Sequence, residues 1–142
     1  KGKIKIFLIG KFFDSLPTNI IKEINRLGIF ENIGHVQPIN KILSKCHALL
    51  VCNEINLGIR IRILTAMAEG IPIITHSSNT LGIPELKSNY NCLIGNNSRQ
   101  LLNACDIIFK KTHIRNIVSK NAYTTYKQLF SIQNFKNNLN NK

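Results

Sequence analysis

Acidic residues are scarce in this sequence: 7 Asp and Glu stand against 19 Lys and Arg in 142 residues, a formal net charge of +12. Long apolar runs are missing as well. Apolar strings such as residues 4–9 and 47–52 have the length of one strand, far below the roughly 20 residues that a bilayer-spanning helix needs. Lys1, Lys3 and Lys5 interrupt the apolar residues at the start, so no continuous signal-peptide core forms there. The cysteines Cys46, Cys52, Cys92 and Cys105 make no C-x-x-C pair and no zinc pattern with the histidines. Three of them lie in or beside apolar strings, where a thiol acts as a small core residue. That usage fits a reducing, cytoplasmic compartment, and neither a metal nor a cofactor is expected. There is no G-x-G-x-x-G and no phosphate loop ending in lysine and serine, which argues against a dinucleotide-binding dehydrogenase. His35, His47 and His113 have no Asp or Ser partner at a readable spacing. No general base or nucleophile stands out, so the catalytic residues stay unassigned.

The basic balance has three possible meanings: nucleic acid, an anionic membrane surface, or a phosphate-bearing substrate. The lysines are scattered and arrive with many Ile and Asn residues, a mixture that an AT-rich coding sequence produces unaided. Arg115 and Lys120 with Tyr123 and Tyr126 suit a solvated helix face as well as they suit nucleic acid. Nucleic-acid binding therefore ranks last, and a peripheral position at a membrane surface stays open.

What is present is an alternation. Apolar strings at 4–9, 30–36, 47–52, 71–75 and 91–94 read as strands. Helical spacing covers 18–27, a short stretch opened by Pro38 through Cys46, and 59–69. From about residue 98 two or three amphipathic helices follow, broken near Thr112 and Ser131, and the tail 137–142 is expected to fray. With 44% hydrophobic and 18% charged residues and no internal repeat or linker, residues 1–142 read as one domain. The order implies an α/β, Rossmann-like three-layer fold with a parallel sheet covered on both faces. In such sheets ligands sit at the carboxyl ends of the strands. The loops after Ile9, Val36, Cys52 and Thr75 are therefore the ones that matter, and His76 would sit at the edge of that crevice.

Gly10-Lys11 closes the first strand, and Lys11 is placed to aim an ammonium group into the crevice. Gly58-Ile59-Arg60-Ile61-Arg62 says more. A glycine ahead of a helix lets backbone approach a ligand, and the unpaired N–H groups of the first turn favour an anion. Positive charge at a helix amino terminus is unfavourable for the helix itself, whereas guanidinium groups there suit phosphate oxygens. Arg60 and Arg62, two apart, do not share one helix face.

The run from Gly58 to Pro72, GIRIRILTAMAEGIP, resembles the signature G-x-R-x-K-I-L-E-A-M-A-x-G-x-P-V of retaining glycosyltransferases of the GT-B fold, in the family 4 group. Flanking pieces of residues 4–130 resemble that family in the same order: 4–10, the strand opening the donor site; Ile33-Gly34-His35-Val36; 48–53; Gly82-Ile83-Pro84-Glu85-Leu86; and Asn91-Cys92-Leu93-Ile94. The resemblance implies the C-terminal half of a GT-B fold, binding a nucleotide-diphosphate sugar for transfer to a glycan or lipid-linked acceptor, as in polysaccharide biosynthesis. It implies that amides at Gly58 and Ile59, with Arg60 and Arg62, hold the diphosphate, and that the loop at His35 and Val36 contacts the base. The family glutamate that accepts from the ribose hydroxyls falls on Thr65, a departure, since one hydroxyl replaces a carboxylate; a second glutamate position falls on Leu57. The half's first strand and the N-terminal acceptor domain would precede Lys1, so this chain alone would not be a competent enzyme. The alternative is a scaffold or degenerate domain of the same fold without donor binding.

Overall fold

The structure is a computed structural model that describes residues 4–54, 58–134 and 136. Leu57 and the tail 137–142 lie outside the described residues. The chain divides into two compact units, one ending at Pro38 and one beginning at Ile39.

In the first unit, β1 (Ile6–Ile9) runs through a 3-10 turn at Phe12–Ser15 into α1 (Thr18–Leu27) and then β2 (Phe30–Gly34). The two strands pair in parallel from Ile6 opposite Phe30 to Ile9 opposite Gly34, with the register slipping between Leu8 and Ile9. The helix has the bounds its apolar spacing predicts. The Pro17 carbonyl accepts from the Ile20 and Ile21 N–H groups at 2.9 and 3.1 Å, and Gly28 ends the helix. None of the described residues of this unit is fully buried.

The second unit holds α2 (Asn40–Leu43), β3 (Leu49–Val51), α3 (Ile61–Ala68), β4 (Ile73–His76), a 3-10 turn at Ser77–Leu81, β5 (Leu93–Gly95), α4 (Ser98–Lys110) and α5 (Thr112–Leu129). Its strands form a parallel sheet in the order β3-β4-β5. Side chains alternate across a strand, and β4 shows the result. Ile73 packs with Leu43, Val51, Ile63, Met67 and Ala122, whereas its neighbour Ile74 packs with Leu93, Leu101, Ile108 and Val118. One face of the sheet is thus covered by α2 and α3, the other by α4, and α5 contributes to both clusters. This is the layered, parallel α/β architecture expected from the alternation. No helix among the described residues is long and apolar enough to cross a membrane.

The element limits differ from the expected ones for local reasons. The parallel pairing forms two sheets, β1-β2 and β3-β4-β5, where one was expected. The strand expected over 30–36 stops at Gly34, because its partner turns away once Gly10 N–H has donated to the Gly34 carbonyl at 2.8 Å. The helix expected over 59–69 begins at Ile61, since Arg60 keeps extended backbone (φ −86°, ψ 93°) as its N-cap. Its far end closes with a pair of C-terminal bonds: Gly70 N–H donates to Met67 O at 3.1 Å and Ile71 N–H to Ala66 O at 2.8 Å. The φ of +64° at Gly70 makes this closure possible. With the Ile71 N–H turned back onto the helix, the strand expected from residue 71 starts only at Ile73. The strands expected over 47–52 and 91–94 are trimmed or shifted to Leu49–Val51 and Leu93–Gly95. At the start of α4, Asn97 caps Gln100 N–H at 3.0 Å while the Gln100 carboxamide accepts from Asn96 N–H at 2.8 Å.

Candidate functional site

The carboxyl ends of β3, β4 and β5 and the amino end of α3 share one polar cluster in the second unit. Asn53 stands two residues beyond β3. Its side-chain oxygen accepts from an Arg62 terminal nitrogen at 3.2 Å, and its carbonyl accepts from the Ser78 hydroxyl at 3.0 Å. Arg60, immediately before α3, donates through Nε to the Asn79 side-chain oxygen at 3.1 Å. His76, at the end of β4, accepts from Ser78 N–H through Nδ1 at 3.2 Å. Its Nδ1 also lies 3.0 Å from the Ser78 hydroxyl oxygen, and its Nε2 lies 3.3 Å from the Asn96 carbonyl. The His76 ring thereby ties the turn after β4 to the end of β5.

At the start of α3 the first N–H groups are left over by the helix's own bonding. The Ile63 and Leu64 N–H groups donate to the Arg60 carbonyl at 2.8 and 3.4 Å, and the N–H groups ahead of them have no acceptor inside the helix. Gly58 turns the chain toward this end with φ +60°. Ile59 and Ile61 are exposed, at 60% and 76%. The Arg62 guanidinium, partly buried, has its pKa pushed below the ordinary value, first by desolvation and then by the neighbouring Arg60 charge. The described partners of both arginines include neutral carboxamides, which orient a guanidinium without cancelling its charge.

The residues singled out from sequence fall into two groups. Gly10, Lys11, His35 and Val36 belong to the first unit, at the carboxyl edge of the β1-β2 pair, where Gly10 N–H bonds Gly34 O. Lys11 and His35 are exposed and Val36 is half-buried. Gly58, Ile59, Arg60 and Arg62 gather at the start of α3 in the second unit. Thr65 lies in the second turn of that helix, and its hydroxyl donates back to the Ile61 carbonyl at 3.0 Å.

Asn53, Ser78 and Asn79 were not legible as site residues. Ser78 and Asn79 belong to a loop of Ser, Asn and Thr, and for all three residues the position beyond a strand end was the one available signal. Gly82 was legible as a motif position but not as a contact: a methyl group there would come within 2.4 Å of the Gly58 carbonyl oxygen. A shallow depression of about 200 Å³, lined by residues that include Ser88, Asn89, Gln100 and Asn103, shares nothing with this cluster. All four cysteines are free thiols, and burial pushes the Cys92 thiol up to about 12. Among the described residues, no group of three or more His, Cys, Asp or Glu side chains forms a metal cage.

No protein-family model matches the sequence. No curated protein matches it either. Solved structures do match the fold. Alr3699/HepE of Anabaena, in complex with UDP, superposes with a TM-score of 0.77 at 18% identity, over 98% of this chain and 41% of that one. The same protein with UDP-glucose gives a TM-score of 0.75 at 19% identity, over 97% of this chain and 41% of that one. The C-terminal domain of LpcC, a group 1 glycosyltransferase from Francisella tularensis, gives 0.68 at 16% identity, over 93% of this chain and 88% of that one. The chain thus spans about two fifths of HepE and nearly all of the isolated LpcC domain.

Proposed function

We propose that this chain, which has the fold of the C-terminal domain of GT-B glycosyltransferases, binds the donor of a glycosyl transfer, a nucleotide-diphosphate sugar. The observation that carries the reading is the start of α3. Two guanidinium groups stand there on carboxamide partners, beside helix N–H groups and a glycine turn. Such a site is complementary to a diphosphate. As the sugar departs, negative charge grows on the leaving diphosphate, and fixed donors stabilise that charge without having to reorganise. Arg60, Arg62 and the amides near Gly58 and Ile59 have this role. In this reading residues 1–142 form the donor-binding part of a glycosyltransferase and work with an acceptor domain. The acceptor is a glycan or a lipid-linked acceptor of polysaccharide biosynthesis, in the cytoplasm or at its membrane surface. HepE carrying UDP and UDP-glucose in the matching fold supports the donor class.

The test is titration of the folded chain with UDP-, GDP- and ADP-sugars, followed calorimetrically. One of the three is expected to bind, and Arg62→Ala is expected to weaken it about tenfold, the scale of one charge-assisted hydrogen bond. A folded protein that binds none of them overturns the proposal.

One observation favours a second reading, a domain that kept the fold without the site. The Thr65 hydroxyl is engaged with its own helix at Ile61. Under the donor reading Thr65→Glu adds acceptors for ribose hydroxyls and tightens binding; under the scaffold reading it changes nothing.

A further inference from the structure

Asn79 is 3% exposed, although it follows a strand end in a loop of small polar residues. A buried carboxamide is costly unless its donors and acceptor are used, and here both ends are. Oδ1 accepts from Arg60 Nε at 3.1 Å, while Nδ2 donates to the carbonyls of Asn53 and His76, each at 3.3 Å. Three segments therefore meet on one side chain: the loop after β3, the end of β4, and the residue that opens α3. The orientation of the amide is determined by these partners. Turned over, it would set its NH₂ against the Nε–H donor of Arg60 and its oxygen against two carbonyl oxygens.

The connection extends to the second arginine. The Asn53 carbonyl held by Asn79 belongs to the residue whose side chain accepts from Arg62. One amide thus references both guanidinium groups to the same framework. No other side-chain type does this unchanged. An aspartate could accept from Arg60 but could not donate to either carbonyl, and its charge would cancel the arginine's. An apolar residue of similar size would offer a partner to none of the three.

We propose that Asn79 is the positioning residue of the diphosphate site, acting through Arg60 and, by way of Asn53, through Arg62. The proposal rests on the donor-site reading above. It assigns Asn79 no contact with the ligand; the residue sets where the guanidinium groups point.

A double-mutant cycle on the full chain separates this role from a merely structural one. Affinities for UDP, GDP and ADP are measured for wild type, Asn79→Ala, Arg60→Ala and the double variant, with thermal unfolding recorded alongside. For whichever diphosphate binds the wild type, Asn79→Ala is expected to weaken binding about tenfold, as loss of a charge-assisted hydrogen bond does. In the Arg60→Ala background the same change is expected to cost clearly less than in wild type, because the group it orients directly is gone and only the route through Asn53 to Arg62 is left. Losses that multiply, or an unchanged affinity in folded Asn79→Ala, overturn the proposal. Arg60→Lys covers the case in which Asn79→Ala does not fold. It keeps the charge but not the Nε–H that Asn79 grips, so it should bind nearly as weakly as Arg60→Ala, and wild-type affinity there overturns the proposal too. Failure of wild type to bind any diphosphate is a separate result, which removes the donor reading and this proposal with it.

Discussion

Gly58 and Gly82 meet backbone to backbone beside the start of α3, yet the two positions require glycine on different grounds. Gly58 has φ +60° with nothing within 4 Å of an added Cβ, so its need is conformational. Gly82 has an ordinary φ of −88°, and a Cβ there would meet the Gly58 carbonyl at 2.4 Å, so its need is space. Left-handed backbone admits asparagine more readily than other side chains. Gly58→Asn is therefore expected to retain most of the stability, measured by urea unfolding. Gly82→Ala is expected to lose about 1–3 kcal/mol, the range for overpacking, because backbone must shift. Equal losses in the two variants would contradict this assignment. The motif spacing identified both glycines, but it carried no sign that they touch.

At the scale of elements, α3 serves two ends differently. Its first turn presents the arginines, while Ile63, Ala66 and Met67 along its inner face are fully buried against β3, β4 and α5. Met67→Ala removes a buried side chain from the far end and is expected to cost about 2–5 kcal/mol. Chemical denaturation checks that figure. The affinity for a nucleoside diphosphate should stay within error of wild type as long as the chain is folded. The helices and strands were legible because periodicity reports burial, and burial is what selects them. Several of their ends were not, because single backbone conformations and individual hydrogen bonds decide them. Arg60 stays outside α3 with extended backbone, and the Ile71 N–H turns back onto the Ala66 carbonyl and so leaves the strand. The same holds for Asn79, whose partners stand 19, 26 and 3 residues away. Loops of Ser, Asn and Thr have no periodicity from which a buried hub could be recognised. At Thr65 the sequence showed the missing carboxylate, and the structure added where the hydroxyl goes.

For the molecule as a whole, the +12 charge is poorly offset within the fold. The ion pairs of Lys5 with Glu31, Arg26 with Glu23 and Lys110 with Asp106 are solvent-exposed. Exposed pairs contribute about 0–1 kcal/mol each, so cohesion comes from the apolar clusters. Those clusters belong entirely to the second unit. The first unit has a strand pair and a helix but, among its described residues, none that is fully buried. Segments with little buried surface open without the rest of the protein unfolding. Hydrogen–deuterium exchange should display that as two populations of amides. Those of Ile6–Ile9 and Phe30–Gly34 are expected to exchange through local opening, at rates insensitive to low denaturant. Those of Ile73–His76, on a strand whose first three residues are buried on both faces, should exchange only through openings that denaturant promotes. A single denaturant slope across both sets would mean that the chain opens as one cooperative body. Two slopes would make the β1-β2 segment a foldon of its own, free to order or loosen while the arginine-bearing unit stays intact.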